Sequence, residues 1–228
     1  MSGSGSLFSV SNSRAIAANA GIQFRTSSTV EVLNGAMMNV TSNKIGCDVF
    51  AMAINESCIR ASSEAGGISV ATDSSIKVHG QNSALIVNHN EAGSGAGLFV
   101  SSITSYIWIT EGATLEASRN VAVGEGDVYC GAALTLVNKA KAFIDSVDAL
   151  DPNKIMVTFK DNIATLGSGG AISVATSSAL FLTSRHLFQG NKALKGNGGA
   201  IAFRSREIYG DNGESNCVSI LVSISKMD

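Results

Sequence analysis

The sequence of 228 residues has little charge, almost no proline and few aromatic residues. Charged residues make up 15% of it, aromatic residues 6%, and there is a single proline. A disordered chain is more charged and less apolar than this one, and collagen needs far more proline. The formal net charge of −2 leaves no basic excess to follow a phosphate backbone. These absences favour a folded domain that does not bind nucleic acid.

Long apolar segments are also lacking. No run approaches the roughly 18 residues of a transmembrane helix, so we expect no membrane span. Residues 1–6, Met-Ser-Gly-Ser-Gly-Ser, are followed by no apolar segment of the kind that a signal peptide needs. We interpret residues 1–6 as a flexible leader or an expression scar, and residues 7–228 as a single domain long enough to have its own core.

The four cysteines do not form a recognisable site. Their spacing is irregular and contains no Cys-x-x-Cys, which argues against a zinc ribbon and against a thioredoxin-type centre. Free thiols are the simpler interpretation, and a short-range disulfide between Cys47 and Cys58 stays open. The cysteines are Cys47, Cys58, Cys130 and Cys217.

What the sequence does contain is a repeat. Residues 159–172 recur 29 positions later as residues 188–201, with eight of fourteen residues identical. Weaker copies of the same frame lie upstream, and each copy is anchored by an asparagine. The spacings between successive anchors are 31, 47, 30, 42 and 29 residues, so the unit is about 30 residues long and two units carry insertions. The anchors are Asn12, Asn43, Asn90, Asn120, Asn162 and Asn191.

Within one unit the apolar residues alternate with a period of two, which indicates strands. Ile68 and Val70 form the first pair of one unit, Ile76 and Val78 the second, and a third pair precedes the asparagine. Three short strands that recur with a fixed period fit a coil in which each strand pairs in parallel with its counterpart one repeat later. The sequence therefore predicts an all-β parallel β-helix of about six coils, with loop insertions near residues 51–65 and 145–154.

The glycines and the asparagines are predicted to form the corners of this coil. Glycine suits a corner that needs a positive φ, or one where the next backbone approaches closely. An asparagine at one fixed corner tolerates left-handed backbone and can donate its amide to a neighbouring coil, which predicts an internal ladder of the six anchors. The corner glycines are Gly66, Gly67, Gly97, Gly169, Gly170, Gly198 and Gly199.

The paired motifs Phe-x-x-Asn and Gly-Gly-Ala-Ile resemble those of the polymorphic membrane protein repeats of chlamydial autotransporters. Both are intact at residues 159–162 with 169–172, and at residues 188–191 with 198–201; other copies are degenerate. The resemblance implies a right-handed parallel β-helix in an adhesive or structural protein at the cell surface or outside the cell. It brings no catalytic residues with it.

A β-helix can also carry an enzyme, so the outward positions decide whether chemistry is expected. Those of the first strand include Ser69, Thr135 and Ser173 but no carboxylate, whereas a glycosidase needs two. We expect no catalytic residue, cofactor or metal. Three aspartates of the second insertion, at Asp145, Asp148 and Asp151, fit a solvated loop better than a calcium site. A carbohydrate-active enzyme stays open if carboxylates of the two insertions converge, and so does an ice-binding face of small residues.

The second strand suggests a protein interface. Ile107, Phe143 and Phe181 are predicted to point outward on consecutive coils and to form an apolar stripe. The alternative is that the alternation shifts by one residue, which would expose Tyr106 and Trp108 instead. We expect a non-enzymatic structural or adhesive segment whose partners are proteins or further copies of the chain, with a carbohydrate ligand still possible. The strand at 217–225 is expected to cover the last coil.

Overall fold

The computed structural model describes residues 3, 5–15, 20–45, 65–123, 131–183, 185–204 and 220–222. These residues contain strands and turns but no helix, and every strand pairing among them is parallel. The strands form four sheets of six, and each sheet takes one strand from each level of the coil. The predicted parallel β-helix is confirmed.

The four sheets run along the length of the solenoid. Sheet I contains β3 (Ile22–Phe24), β7 (Ile68–Ala71), β11 (Leu98–Ser101), β15 (Leu134–Val137), β19 (Ile172–Ala175) and β23 (Ile201–Arg204). Sheet II contains β4 (Thr29–Leu33), β8 (Ser75–His79), β12 (Tyr106–Thr110), β16 (Lys141–Asp145), β20 (Ala179–Leu182) and β24 (Ile220–Val222). Sheet III contains β1 (Leu7–Ser11), β5 (Met37–Thr41), β9 (Ala84–Asn88), β13 (Thr114–Ser118), β17 (Val157–Lys160) and β21 (His186–Gln189). Sheet IV contains β2 (Arg14–Ala15), β6 (Lys44–Ile45), β10 (Glu91–Ala92), β14 (Val121–Ala122), β18 (Ile163–Ala164) and β22 (Lys192–Ala193).

Stacked apolar side chains inside the coil form the main core. Leu98 pairs in register with Ile68 on one side and with Leu134 on the other, and all three are fully buried. Sheet III adds Phe159, whose ring stacks on that of Phe188 at a centroid distance of 4.9 Å. Side chains alternate between the two faces of a strand. The period of two in the sequence therefore places one column of apolar side chains on the inner face of each sheet.

Sheet IV was not predicted. Its strands are two residues long and directly follow the anchor asparagines, where a period of two cannot be recognised. The second residue of each strand is small in most coils, and Ala92, Ala122 and Ala164 are buried in register. Each coil therefore has four strands and four corners rather than the three expected.

The outer face of sheet I is covered, which corrects one expectation. Ser69, Thr135 and Ser173 were considered as an exposed small-residue face, yet all three are buried. The glycine-rich segments before β11, β15, β19 and β23 fold back towards that face. At Thr135 the hydroxyl accepts a hydrogen bond from the N–H of Gly131 at 3.0 Å and donates one to its carbonyl oxygen at 3.1 Å. The expectation that these three residues could form an ice-binding surface is therefore wrong.

Strand β24 extends sheet II by pairing with β20, with Phe181 opposite Leu221. The strand at 217–225 was expected to cover the last coil; of these residues the structure describes 220–222, which extend sheet II alone. Most of the first insertion, at residues 51–64, lies outside the described residues, as do all four cysteines.

Candidate functional site

The outer face of sheet II carries a column of side chains that changes character along the solenoid. Lys77, on β8, stands in register with Glu31 on one side and with Trp108 on the other. Phe143 and Phe181 continue the column on β16 and β20. One half of the column is therefore charged, and the other half is aromatic.

The aromatic half corrects the predicted stripe at one position. Ile107 is 1% exposed and lies in the core, whereas Trp108 is 47% exposed. The corner before β12, residues 102–105, has four residues, whereas the corners at 72–74, 138–140 and 176–178 have three. One additional residue reverses which face each side chain of the following strand occupies. The stripe thus consists of Trp108, Phe143 and Phe181.

An open groove of about 640 Å³ follows this stripe. The rings of Phe143 and Phe181 stack at a centroid distance of 4.7 Å with planes 5° apart, so each ring covers a face of the other. The groove is lined by Ile103, Thr104, Ser105, Tyr106, Trp108, Lys141, Phe143, Ile144, Asp145, Phe181 and Thr183.

Two opposite charges flank the middle of the stripe. Lys141 and Asp145 lie two residues before and two residues after Phe143 on the same strand, so all three side chains point outward. Both charged residues are exposed, and neither forms an ion pair or side-chain hydrogen bond with another described residue. The apolar stripe therefore has a positive margin and a negative margin at the level of Phe143.

The charged half of the column is internally paired. Lys77 Nζ lies 3.3 Å from Glu31 Oε1. The hydrogen bond to Glu31 and the nearby Tyr106 hydroxyl raise the pKa of Lys77 above its usual value. Solvent screens an exposed ion pair, so this pair keeps one end of the face polar rather than holding the coil together.

Five of the six predicted anchors form a continuous hydrogen-bonded row at the corner between sheets III and IV. The backbone N–H and the side-chain amide of each asparagine donate to the Oδ1 of the next one, at 2.8–3.1 Å. Each side-chain amide also donates to a strand carbonyl of the preceding level, such as that of Val87 for Asn120 at 2.8 Å. The row consists of Asn43, Asn90, Asn120, Asn162 and Asn191.

Asn12 is not part of this row, contrary to the prediction. Strand β1 pairs with β5 so that Ser11 stands opposite Thr41, which places Ser13, not Asn12, beside Asn43. The N–H of Ser13 donates to Asn43 Oδ1 at 3.0 Å. Asn12 instead has a φ of 56° and occupies the left-handed position before the row, as do Ser42, His89, Arg119, Asp161 and Gly190 in later coils. The left-handed residue is thus the one before each asparagine of the row.

The corner glycines serve two different steric needs. Gly169 and Gly198 have φ values of 81° and 70°. At Gly97 a Cβ atom would lie 2.5 Å from the carbonyl oxygen of Ala133, so the close approach of the next coil requires glycine there. Similar approaches occur at Gly66, Gly67 and Gly170. Gly199 is different, because the nearest atom to its Cβ would be 3.5 Å away.

Two of the three aspartates of the second insertion, Asp148 and Asp151, stabilise their own loop, whereas Asp145 is the last residue of β16. Asp148 accepts hydrogen bonds from the N–H groups of Leu150 and Asp151 and from Lys154 Nζ at 2.9 Å. These bonds lower the pKa of Asp148, which is the opposite of what a general acid requires. Within the described ranges no group of three or more potential metal ligands is found.

The sequence analysis favoured Ile107 as the outward residue and offered Trp108 only as the alternative, and it did not recognise Lys141 and Asp145 as charges that flank Phe143. The length of the corner at 102–105 was the signal for Trp108, because a fourth corner residue changes the phase. For Lys141 and Asp145 the signal was their spacing of two on either side of an outward phenylalanine. Both signals become interpretable only when the corners are aligned coil by coil.

Comparisons with known proteins agree with the repeat found in the sequence. No curated protein and no solved structure gives a significant match. In the part of the chain that the structure describes, no helix has the length and apolar character needed to cross a membrane. The two coils that carry the clearest copies of the repeat, however, match a family model. Residues 156–175 and 187–204 match the model of the Chlamydia polymorphic membrane protein repeat, which confirms the resemblance for these two segments.

Proposed function

We propose that this chain is a non-enzymatic structural or adhesive segment of a cell-surface or extracellular assembly, and that it acts through protein contacts on sheet II. The observation that supports this most directly is the aromatic stripe in an open groove, in which Trp108 is exposed and Phe143 and Phe181 are half-buried. Large apolar side chains that are contiguous on a surface mark interaction sites. Aromatic residues are enriched among the residues that dominate the energy of protein interfaces.

The architecture suits such a role. Each coil contacts its neighbours through parallel ladders and through the asparagine row, so the described coils support sheet II as one continuous face. A rigid face loses little conformational entropy when it docks. The match to the polymorphic membrane protein repeat supports a place at the cell surface, because the family is named for membrane proteins.

The test uses the purified chain immobilised on a support and a surface-protein extract of the native source. We expect Phe143→Ser combined with Phe181→Ser to lose the proteins that the unmodified chain retains, as quantified by mass spectrometry. Leu194→Ser is the matched control, because Leu194 is 60% exposed but lies away from sheet II. Equal retention by all three chains would contradict the proposal.

A further inference from the structure

We infer that the partner of the sheet II face is a second copy of this chain, docked side by side with the two solenoid axes parallel. This inference rests on the proposed function, because it names the occupant of the same face. It is carried by the placement of Lys141 and Asp145 on either side of Phe143, with neither charge paired within the described structure.

The charges select the geometry of the contact. Successive outward residues on one strand are about 6.6 Å apart, so Lys141 and Asp145 lie at equal distances on opposite sides of the aromatic column. In a dimer whose two-fold axis is parallel to the solenoid axis, the strands of the second copy run in the opposite direction. Each coil then lies at the same height as the identical coil of the second copy. Lys141 then faces Asp145 of the second copy, and Asp145 faces its Lys141. The aromatic columns meet along the axis, each residue against its own copy.

The other face-to-face arrangement is disfavoured by the same charges. A two-fold axis along the strands keeps the strand directions parallel and makes the solenoids antiparallel. Lys141 then faces its own copy, and so does Asp145. Like charges in register at an interface oppose association, so this arrangement lacks the complementarity of the first.

The size of the face predicts a transient dimer. Three coils spaced about 4.8 Å apart and strands about 17 Å long give a contact of a few hundred Å² on each copy. This is below the size of a standard stable interface. One coil beyond Trp108, Lys77 also faces its own copy in this arrangement, and its ion pair with Glu31 offsets the repulsion between the two lysines.

Sedimentation of the full chain over a concentration series tests the inference. We expect the weight-average mass of the unmodified chain to rise towards that of a dimer. Lys141→Asp and Asp145→Lys should each weaken self-association at least about tenfold, because each creates two like-charge contacts per dimer. An equimolar mixture of the two variants should associate again, since every contact then joins opposite charges. Lys195→Asp, which changes an exposed lysine away from sheet II, is the control.

Lys141→Ala distinguishes the two arrangements. It should weaken the parallel dimer by leaving Asp145 of the second copy unpaired, whereas it would strengthen an antiparallel dimer by removing repulsion. A chain that stays monomeric at every concentration overturns the inference, as does association that none of the sheet II variants changes. If the monomeric chain still loses its retained proteins through Phe143→Ser and Phe181→Ser, the proposed function stands and only the identity of the partner fails.

Discussion

Asn90 directs both its backbone N–H and its side-chain amide at a single atom, the Oδ1 of Asn120, at 3.0 and 3.1 Å. The same side chain donates to the carbonyl oxygen of Val40 on the opposite side. One asparagine thus joins three successive levels of the coil, and all of these groups are buried. Such a row fixes the vertical alignment of the coils, because a shift by one residue would leave its polar groups unsatisfied.

Replacement of Asn120 by leucine should destabilise the fold strongly. The change leaves the buried N–H of Asn90 without its acceptor and the carbonyl of Val87 without its donor, at about 1–3 kcal/mol for each buried group. Asn191→Leu should cost less, because Asn191 is only partly buried. Asn153→Leu, at an exposed loop position, is the control. Chemical denaturation monitored by circular dichroism should rank the three variants in this order, and equal midpoints would contradict the proposed role of the row.

The two kinds of corner glycine make a matched pair. Gly97→Ala would place a methyl group 2.5 Å from the carbonyl oxygen of Ala133, whereas Gly199→Ala would find its nearest neighbour at 3.5 Å. Neither residue has a positive φ, so the comparison isolates the steric effect. We expect a loss of about 1–3 kcal/mol for Gly97→Ala. For Gly199→Ala we expect almost no change in the unfolding midpoint. Unchanged thermal unfolding of Gly97→Ala would contradict this steric role of Gly97.

The fold could be predicted from those segments in which the alternation of apolar and polar residues has only one interpretation. In Ile76-Lys77-Val78 only one face is apolar, so the phase of the strand is unambiguous. In residues 106–109, Tyr-Ile-Trp-Ile, every position is apolar and the period of two is lost. The length of the preceding corner then decides which side chains of the strand face the core. This length is recognised only when the coils are aligned in three dimensions. This is why Ile107 was assigned to the surface and Trp108 to the core.

Two further predictions differ from the structure because they depend on contacts between strands, which the sequence of a single strand does not reveal. Asn12 lies between two serines, and either neighbour could occupy the row; the pairing of β1 with β5 selects Ser13. The small residues of sheet I suggest a flat exposed face when the strands are considered alone. They are small because the glycine-rich segments pack over them, as the two bonds between Thr135 and Gly131 show.

The insertion loop should give the protein a measurable sensitivity to acid. The pKa of Asp148 is lowered from its ordinary value of 3.8 by Lys154 and by two backbone N–H groups. A lowered pKa in the folded state stabilises the fold above the pKa of the unfolded chain, and this contribution is lost as the pH falls through the folded value. We expect Asp148→Asn to lower the melting temperature at pH 7 but to have little effect near pH 2. A constant difference between the two chains at both pH values would contradict this assignment.

Trp108 offers a direct optical test of docking on sheet II, because it is the only tryptophan of the chain and it is 47% exposed. An exposed indole emits at long wavelength and is quenched by acrylamide. Burial against the second copy should shift its emission to shorter wavelength and reduce quenching as the concentration rises. The Lys141→Asp chain alone should keep the emission of an exposed indole. Mixing it with the Asp145→Lys chain should restore the shift, since opposite charges then face each other. Association seen by sedimentation without any change in the quenching of Trp108 would place the contact on another face of the solenoid.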